Sequence, residues 1–255
     1  MWLRLRQIAC IARELAPVEH ELVDVLGIAV CYRDPGVGYF GLENALFPVG
    51  NQLLEVVAPV KEGTAGGRYL DRRGGDGGYM VITQCDDHPP RRKRVDELGI
   101  RIVLDNQTDE FVNMQLHPAD TGGSFFEIDQ QLGKGANDPD GPWHPAGPNW
   151  QASRRTDRVN AITAAEIQCN DPLKVVRRWA EIAMLEISEN DHGAELALDN
   201  ATLRFVPCAD GRPEGLGGID LVTTNKQAVL AAAATIDRVS AENQVMLCGL
   251  RMNLV

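Results

Sequence analysis

The sequence predicts an α+β fold in which one βαβββ unit is used four times. Three observations predict it. A strand, a helix and then further strands occur in that order twice before residue 130. A stretch at 131–157, rich in Gly, Pro, Asn and Asp and without periodicity, splits the chain. After it the pattern restarts. With 255 residues, 44% of them hydrophobic, the chain is long enough to bury a core. The expected organisation is an N-terminal half at 1–130, a linker at 131–157 and a C-terminal half at 158–255.

Each element has its own local reason. Arg4–Ala12 alternates like a strand, and Val18, Leu22, Val25 and Leu26 then share one helical face that Gly27 ends. Ile28–Tyr32, Tyr39–Pro48 and Gln52–Pro59 are apolar runs separated by Asp34-Pro35-Gly36 and Gly50-Asn51, which predicts three antiparallel strands with tight turns. Thr64–Arg73, capped by Thr64 and stopped by Gly74-Gly75, reads as a connecting helix. The second unit has strand Gly78–Cys85, a short basic helix Pro90–Leu98 and strands Arg101–Leu104, Phe111–Leu116 and Ser124–Asp129. Beyond the linker come strand Val159–Gln168, a helix opened by Asp171-Pro172, and strands Ala194–Leu198 and Ala201–Val206. The last unit is strand Gly218–Thr223, helix Lys226–Val239 and a terminal strand Gln244–Val255.

Charge narrows the partners. Lys and Arg total 25 against 36 Asp and Glu, a net charge of −11, so a phosphate backbone or an anionic membrane surface is repelled at long range. No apolar run has the roughly 18 to 20 residues of a bilayer span, and Arg4, Arg6, Arg13 and Glu14 interrupt any signal-peptide core. A cytoplasmic protein with neither nucleic-acid nor membrane partner is expected. Six dispersed cysteines without a C-x-x-C pair read as buried reduced thiols.

Two runs carry a resemblance. Asn51–Pro59 and His117–Asp129 resemble strand ends of the vicinal oxygen chelate superfamily, which includes glyoxalase I, methylmalonyl-CoA epimerase, extradiol dioxygenases and bleomycin-resistance proteins. The resemblance covers residues 3–129 well and 160–255 by topology alone. It implies that the modules pair into two cup-shaped sheets with helices outside. It also implies a metal held by one first-strand and one last-strand residue of each module, positions that fall on Gln7, Glu55, Met80 and Glu127. The two offsets, Gln7 to Met80 and Glu55 to Glu127, agree to within one residue.

Where catalytic members place histidines, this sequence has Gln7 and Met80, so the two-histidine, one-carboxylate set of an extradiol dioxygenase is missing. Gln7, Glu55 and Glu127 would make an oxygen-only metal site, better suited to Mg²⁺ or Mn²⁺ than to Zn²⁺ or Fe²⁺. Without a metal, one of two glutamates sharing a cup would take up a proton and act as general acid or base. The leading expectation is a lyase or isomerase acting on a small carbonyl-containing substrate, with Glu55, Glu127 and His117 catalytic and Gln7, Tyr79, Met80 and Trp143 lining the substrate. The alternative is a metal-free protein that binds or sequesters a small molecule, as bleomycin-resistance relatives do. A purely structural role would have the cup filled by side chains. A homodimer is a further expectation from the resemblance.

Other conspicuous residues have plainer readings. Trp143, His144 and Trp150 belong to the linker, either as a lid over the cup or as a strap between the halves. His20 reads as solvated, His88 and His192 as loop residues, Arg91–Arg94 as a solvated basic face, and Gly74–Gly78 as a module junction rather than a phosphate loop. The matching positions of the second half, Ala164, Arg204, Gly218 and Asn253, carry no carboxylate, so that half is expected to be structural, with Arg204 a surface arginine.

Overall fold

A computed structural model describes residues 1–190, 193–208 and 210–255, with Asn190 described by its backbone; His192 lies outside the described residues. Two mixed sheets with helices outside form the protein. The first contains β1 (Leu3–Ile11), β2 (Leu42–Val49), β3 (Gln52–Pro59), β4 (Gly77–Cys85), β5 (Ile102–Gln107), β6 (Phe111–Leu116) and β7 (Phe125–Gln131), in the order β2-β3-β1-β4-β7-β6-β5. The second contains β8 (Val159–Cys169), β9 (Ile187–Asn190), β10 (Gly193–Ala197), β11 (Thr202–Pro207), β12 (Gly215–Thr223), β13 (Val239–Ala241), β14 (Gln244–Leu247) and β15 (Leu250–Leu254). Its order is β13-β14-β15-β12-β8-β11-β10-β9. Each sheet is therefore two modules joined along their first strands, β1 against β4 and β8 against β12, both antiparallel.

Helices α1 (Leu15–Leu26), α2 (Ala65–Arg73), α3 (His88–Glu97), α4 (Pro118–Thr121), α5 (Pro172–Ala183) and α6 (Lys226–Ala234) follow local signals. Gly27 ends α1 in the left-handed region, Thr64 Oγ1 accepts from Gly67 N–H at the start of α2, and Asp171 accepts from Lys174 N–H at the start of α5. Three expectations are corrected. Ile28–Tyr32 forms one β-bridge, Tyr32 to Leu46, rather than a strand, because the linker packs there: the Cys31 thiol donates to Ala146 O. The terminal strand is a hairpin turned at Cys248-Gly249, with both residues at positive φ. The last helix stops at Ala234, and Asp237 at positive φ turns the chain into β13.

One face of each sheet turns inward to a shared core. Leu3, Leu5, Ile8 and Cys10 of β1 join α1, Trp179 of α5, and Ile162, Ile167, Ile219 and Met252 of the second sheet in one apolar cluster. The outer face of the first sheet has its own cluster, in which Ala9, Ile11, Leu46, Leu53, Val57 and Ile82 are covered by Trp143, Ala146 and Trp150. The 131–157 segment thus covers the N-terminal cup face, the place expected of a lid, and is called the strap below. Gly147 of the strap has φ +74°, and a Cβ there would come within 2.6 Å of the Tyr32 ring.

Candidate functional site

The register of the first sheet aligns its two modules. Gln7 pairs with Ile82 and Ala9 with Met80 across β1 and β4, while Glu55 lies beside Ala9 and Glu127 beside Ile82 in the parallel pairs. A pseudo-twofold axis through the β1–β4 ladder therefore equates Gln7 with Met80 and Glu55 with Glu127. The sequence offsets anticipated this equivalence.

Two β-bulges aim the side chains. Between the pairs Leu5–Thr83 and Gln7–Ile82 the register shifts, leaving Arg6 as the extra residue; between Ala9–Met80 and Cys10–Gly78 it leaves Tyr79. A bulge puts neighbouring residues on one face. Arg6 and Gln7 both reach the strap, and Tyr79 and Met80 both join the outer cluster. Gly217 is the corresponding extra residue in the second sheet.

Each glutamate is held by an asparagine from the next strand. Asn44 Nδ2 donates to Glu55 Oε1 at 2.6 Å and Asn113 Nδ2 donates to Glu127 Oε1 at 2.6 Å. Gln7 Nε2 donates to the other oxygen of Glu55 at 2.8 Å. Module two adds Asp129, whose Oδ1 accepts from Met114 N–H and from Asn113 Nδ2, both at 3.1 Å. Sequence reasoning missed Asn44, Asn113 and Asp129. The available signal was an asparagine inside each of two matched strands, where its propensity is low.

Burial governs the electrostatics. Among the described residues no Lys or Arg forms an ion pair with Glu55, Glu127 or Asp129. Removal from water pushes the Glu55 carboxyl up to about 7, against the opposing pull of the Asn44 and Gln7 hydrogen bonds, and the charge of Glu127 adds to the rise. Glu127 is raised by burial, and Asp129 well above the carboxylate range by burial beside Glu127. Burial beside Tyr69 pushes the Tyr79 hydroxyl up to about 12.

The other expected site residues fall in different places. Trp143 is buried over the cup, with its indole N–H on Gln7 Oε1 at 2.9 Å and its ring 5.3 Å from that of Phe111. Met80 lies in the same cluster. His117 caps α4, its Nδ1 accepting from Ala119 N–H, and it takes no part in the hydrogen bonds of either glutamate; the structure gives it a turn role. His88 is buried at the start of α3 rather than in a polar loop. Arg91 is buried too, donating to Ala183 O and Trp2 O, whereas Arg92 and Lys93 pair with exposed carboxylates as a solvated face does. Arg204 is half-buried and bidentate to Asp220 at 2.6 and 2.7 Å, so it is a structural ion-pair residue rather than a free surface group.

The donor set of Gln7, Glu55 and Glu127 does not fit a divalent cation. Both Glu55 oxygens accept from amides, the Gln7 oxygen accepts from Trp143, and Glu127 Oε1 accepts from Asn113. Among the described residues no group of three or more His, Cys, Asp or Glu is placed to hold a metal. A surface groove of about 330 Å³ has Asn44 in its wall beside Arg33 and Asp34. Another of about 480 Å³, lined by Arg13, Lys61 and Arg68 among others, includes neither glutamate. No described helix is long and apolar enough to cross a membrane.

No family model and no curated protein matches the sequence. Among solved structures, a hypothetical protein from Staphylococcus aureus is similar over the full length of both chains, at 13% identity and a TM-score of 0.65. Methylmalonyl-CoA epimerase from Mycobacterium tuberculosis matches 51% of this chain and 89% of its own at 22% identity and a TM-score of 0.44. The Streptomyces coelicolor epimerase in complex with 2-nitronate-propionyl-CoA matches 52% and 100% at 17% identity and a TM-score of 0.46. Paired modules, parallel first-to-last strand ladders and two mixed sheets with helices outside are the architecture that the resemblance to the vicinal oxygen chelate superfamily implies.

Proposed function

We propose that the protein is an isomerase-type enzyme of this fold that moves a proton next to the carbonyl of a small molecule, with Glu55 as the base in the N-terminal cup. One observation carries the reading: two buried glutamates at equivalent positions of the two modules, each held by an asparagine amide and, among the described residues, neither paired with a cation. Burying a carboxylate without a cation is costly, and that cost raises its basicity toward the working range of a general base. Gln7 and Asn44 fix the orientation of Glu55, and Glu127 with Asp129 supplies a second proton-bearing group on the same face. In this reading a substrate reaches Glu55 past Asn44, which lines a surface groove and donates to the carboxylate.

The test is α-proton exchange in D₂O, followed by proton NMR, across a panel of 2-oxo acids, hydroxyketones and acyl thioesters. Exchange should be catalysed for at least one class and should fall by about 100-fold or more in Glu55→Gln, the usual contribution of a positioned base. Exchange unaffected by that substitution would remove Glu55 from the chemistry. A second reading, a purely structural role, is favoured by Trp143, Ala146 and Trp150 filling the cup. It predicts no exchange and no small molecule that protects the protein thermally.

A further inference from the structure

The amides around Glu55 have only one orientation available to them. An indole N–H donates and never accepts, so Trp143 Nε1 at 2.9 Å requires the carbonyl oxygen of Gln7 on its side. The Gln7 NH₂ group must then face Glu55, where it donates at 2.8 Å. Asn44 is fixed in the same way: its Oδ1 accepts from the backbone N–H of Asp34 at 2.8 Å, which turns its NH₂ onto the other Glu55 oxygen. A metal would need a lone pair where Gln7 presents two hydrogens.

We propose that Trp143 is a positioning residue that decides what kind of site the cup is. By holding the Gln7 amide turned, it makes the first-strand position a hydrogen-bond donor to Glu55 and prevents this position from ligating a cation. The inference deepens the proton-transfer reading, since it explains how a cup of this fold keeps Glu55 free of metal, yet the Gln7 geometry stands without that reading. Trp143 is itself anchored. Its ring lies 5.5 Å from the Arg6 guanidinium, and Arg6 is tied to the strap by Pro139 O and Gly141 O, so the indole cannot move without the strap.

Manganese binding, read from the EPR amplitude of free Mn²⁺, tests this on the intact chain. The wild-type protein should leave the signal unchanged at millimolar Mn²⁺. Trp143→Phe keeps the ring and removes the donor, so Gln7 can turn its oxygen to the cup, and affinity should rise by at least about tenfold, the scale of one lost hydrogen bond. Adding Glu55→Gln should abolish the gain. Because Trp143→Phe can fail to fold, Gln7→Glu is the second variant. Its carboxylate accepts from Trp143 with one oxygen and offers the other to the cup, so it should bind Mn²⁺ with the tryptophan intact. A merely structural tryptophan would not raise metal affinity on removal. Stoichiometric Mn²⁺ on the wild-type chain overturns the proposal, as does a folded Gln7→Glu protein that binds none. Failure of α-proton exchange would leave each of these readings as it is.

Discussion

At the scale of single residues, Glu55 links structure to pH. Its carboxyl titrates near 4.5 when exposed and at about 7 in the folded protein, so the native state holds an extra proton between those values. Stability therefore falls as pH rises through that window. At 1.36 kcal/mol per pKa unit the loss assigned to Glu55 is on the order of 3 kcal/mol. Glu127 and Asp129, raised as well, add in the same direction. Urea unfolding between pH 4.5 and 8 should show Glu55→Gln losing less stability than wild type by roughly that amount, whatever its stability at one pH. Gln7, Glu55 and Glu127 were placed by the resemblance, and the agreement of the repeat offsets is matched by the strand register. Asn44, Asn113 and Asp129 were not legible, because their role depends on cross-strand register, which the periodicity of one strand does not carry.

At the scale of elements, the strap is the piece that most changes the cup. The sequence announced it by placing Trp143 and Trp150 on a Gly- and Pro-rich segment, where large apolar groups need a surface to cover. The face it covers became legible only when the β1 bulge brought Arg6 and Gln7 together beneath it. Trp143→Ala should cost about 3 to 5 kcal/mol, the usual range for emptying a buried tryptophan site, and should increase binding of an apolar fluorescent dye to the exposed cup. Unchanged stability would mean that the strap does not pack as described. Helices with a glycine stop or an Asp or Thr cap were readable because those signals are local. The Ile28–Tyr32 segment was misread because an apolar run can be buried by a loop as well as by a ladder. The final hairpin was hidden by Cys248, an apolar residue in a turn.

At the scale of the whole molecule, the two sheets are fastened by matched devices. Gln52 exchanges two hydrogen bonds with the backbone of Ile162, at 2.6 and 2.7 Å, and Asn200 does the same with Leu5, at 2.8 and 3.0 Å. Each side-chain amide stands in for a missing backbone partner. Gly50 has φ +62°, and a Cβ there would lie 1.9 Å from Asn160 O, so the same junction leaves no room for a side chain. Four modules were legible from the restarting pattern. The common core was not, since nothing local says that the inward faces of separate sheets meet each other. The second sheet repeats the first with different chemistry: Arg204 stands at the register position of Glu55 and pairs with Asp220. Among the described residues the buried carboxyls of the first sheet have no ion-pair partner, whereas the second sheet carries the Arg204–Asp220 pair at the matching register.

Burial in the N-terminal cup raises the proton affinity of the Glu55 carboxyl toward neutrality. Carboxyl ¹³C NMR of glutamate-labelled protein, with the Glu55 signal assigned by its loss in Glu55→Gln, measures this without any substrate. The midpoint should lie close to the value of about 7 that burial imposes. A midpoint at the ordinary value of about 4.5 would contradict it.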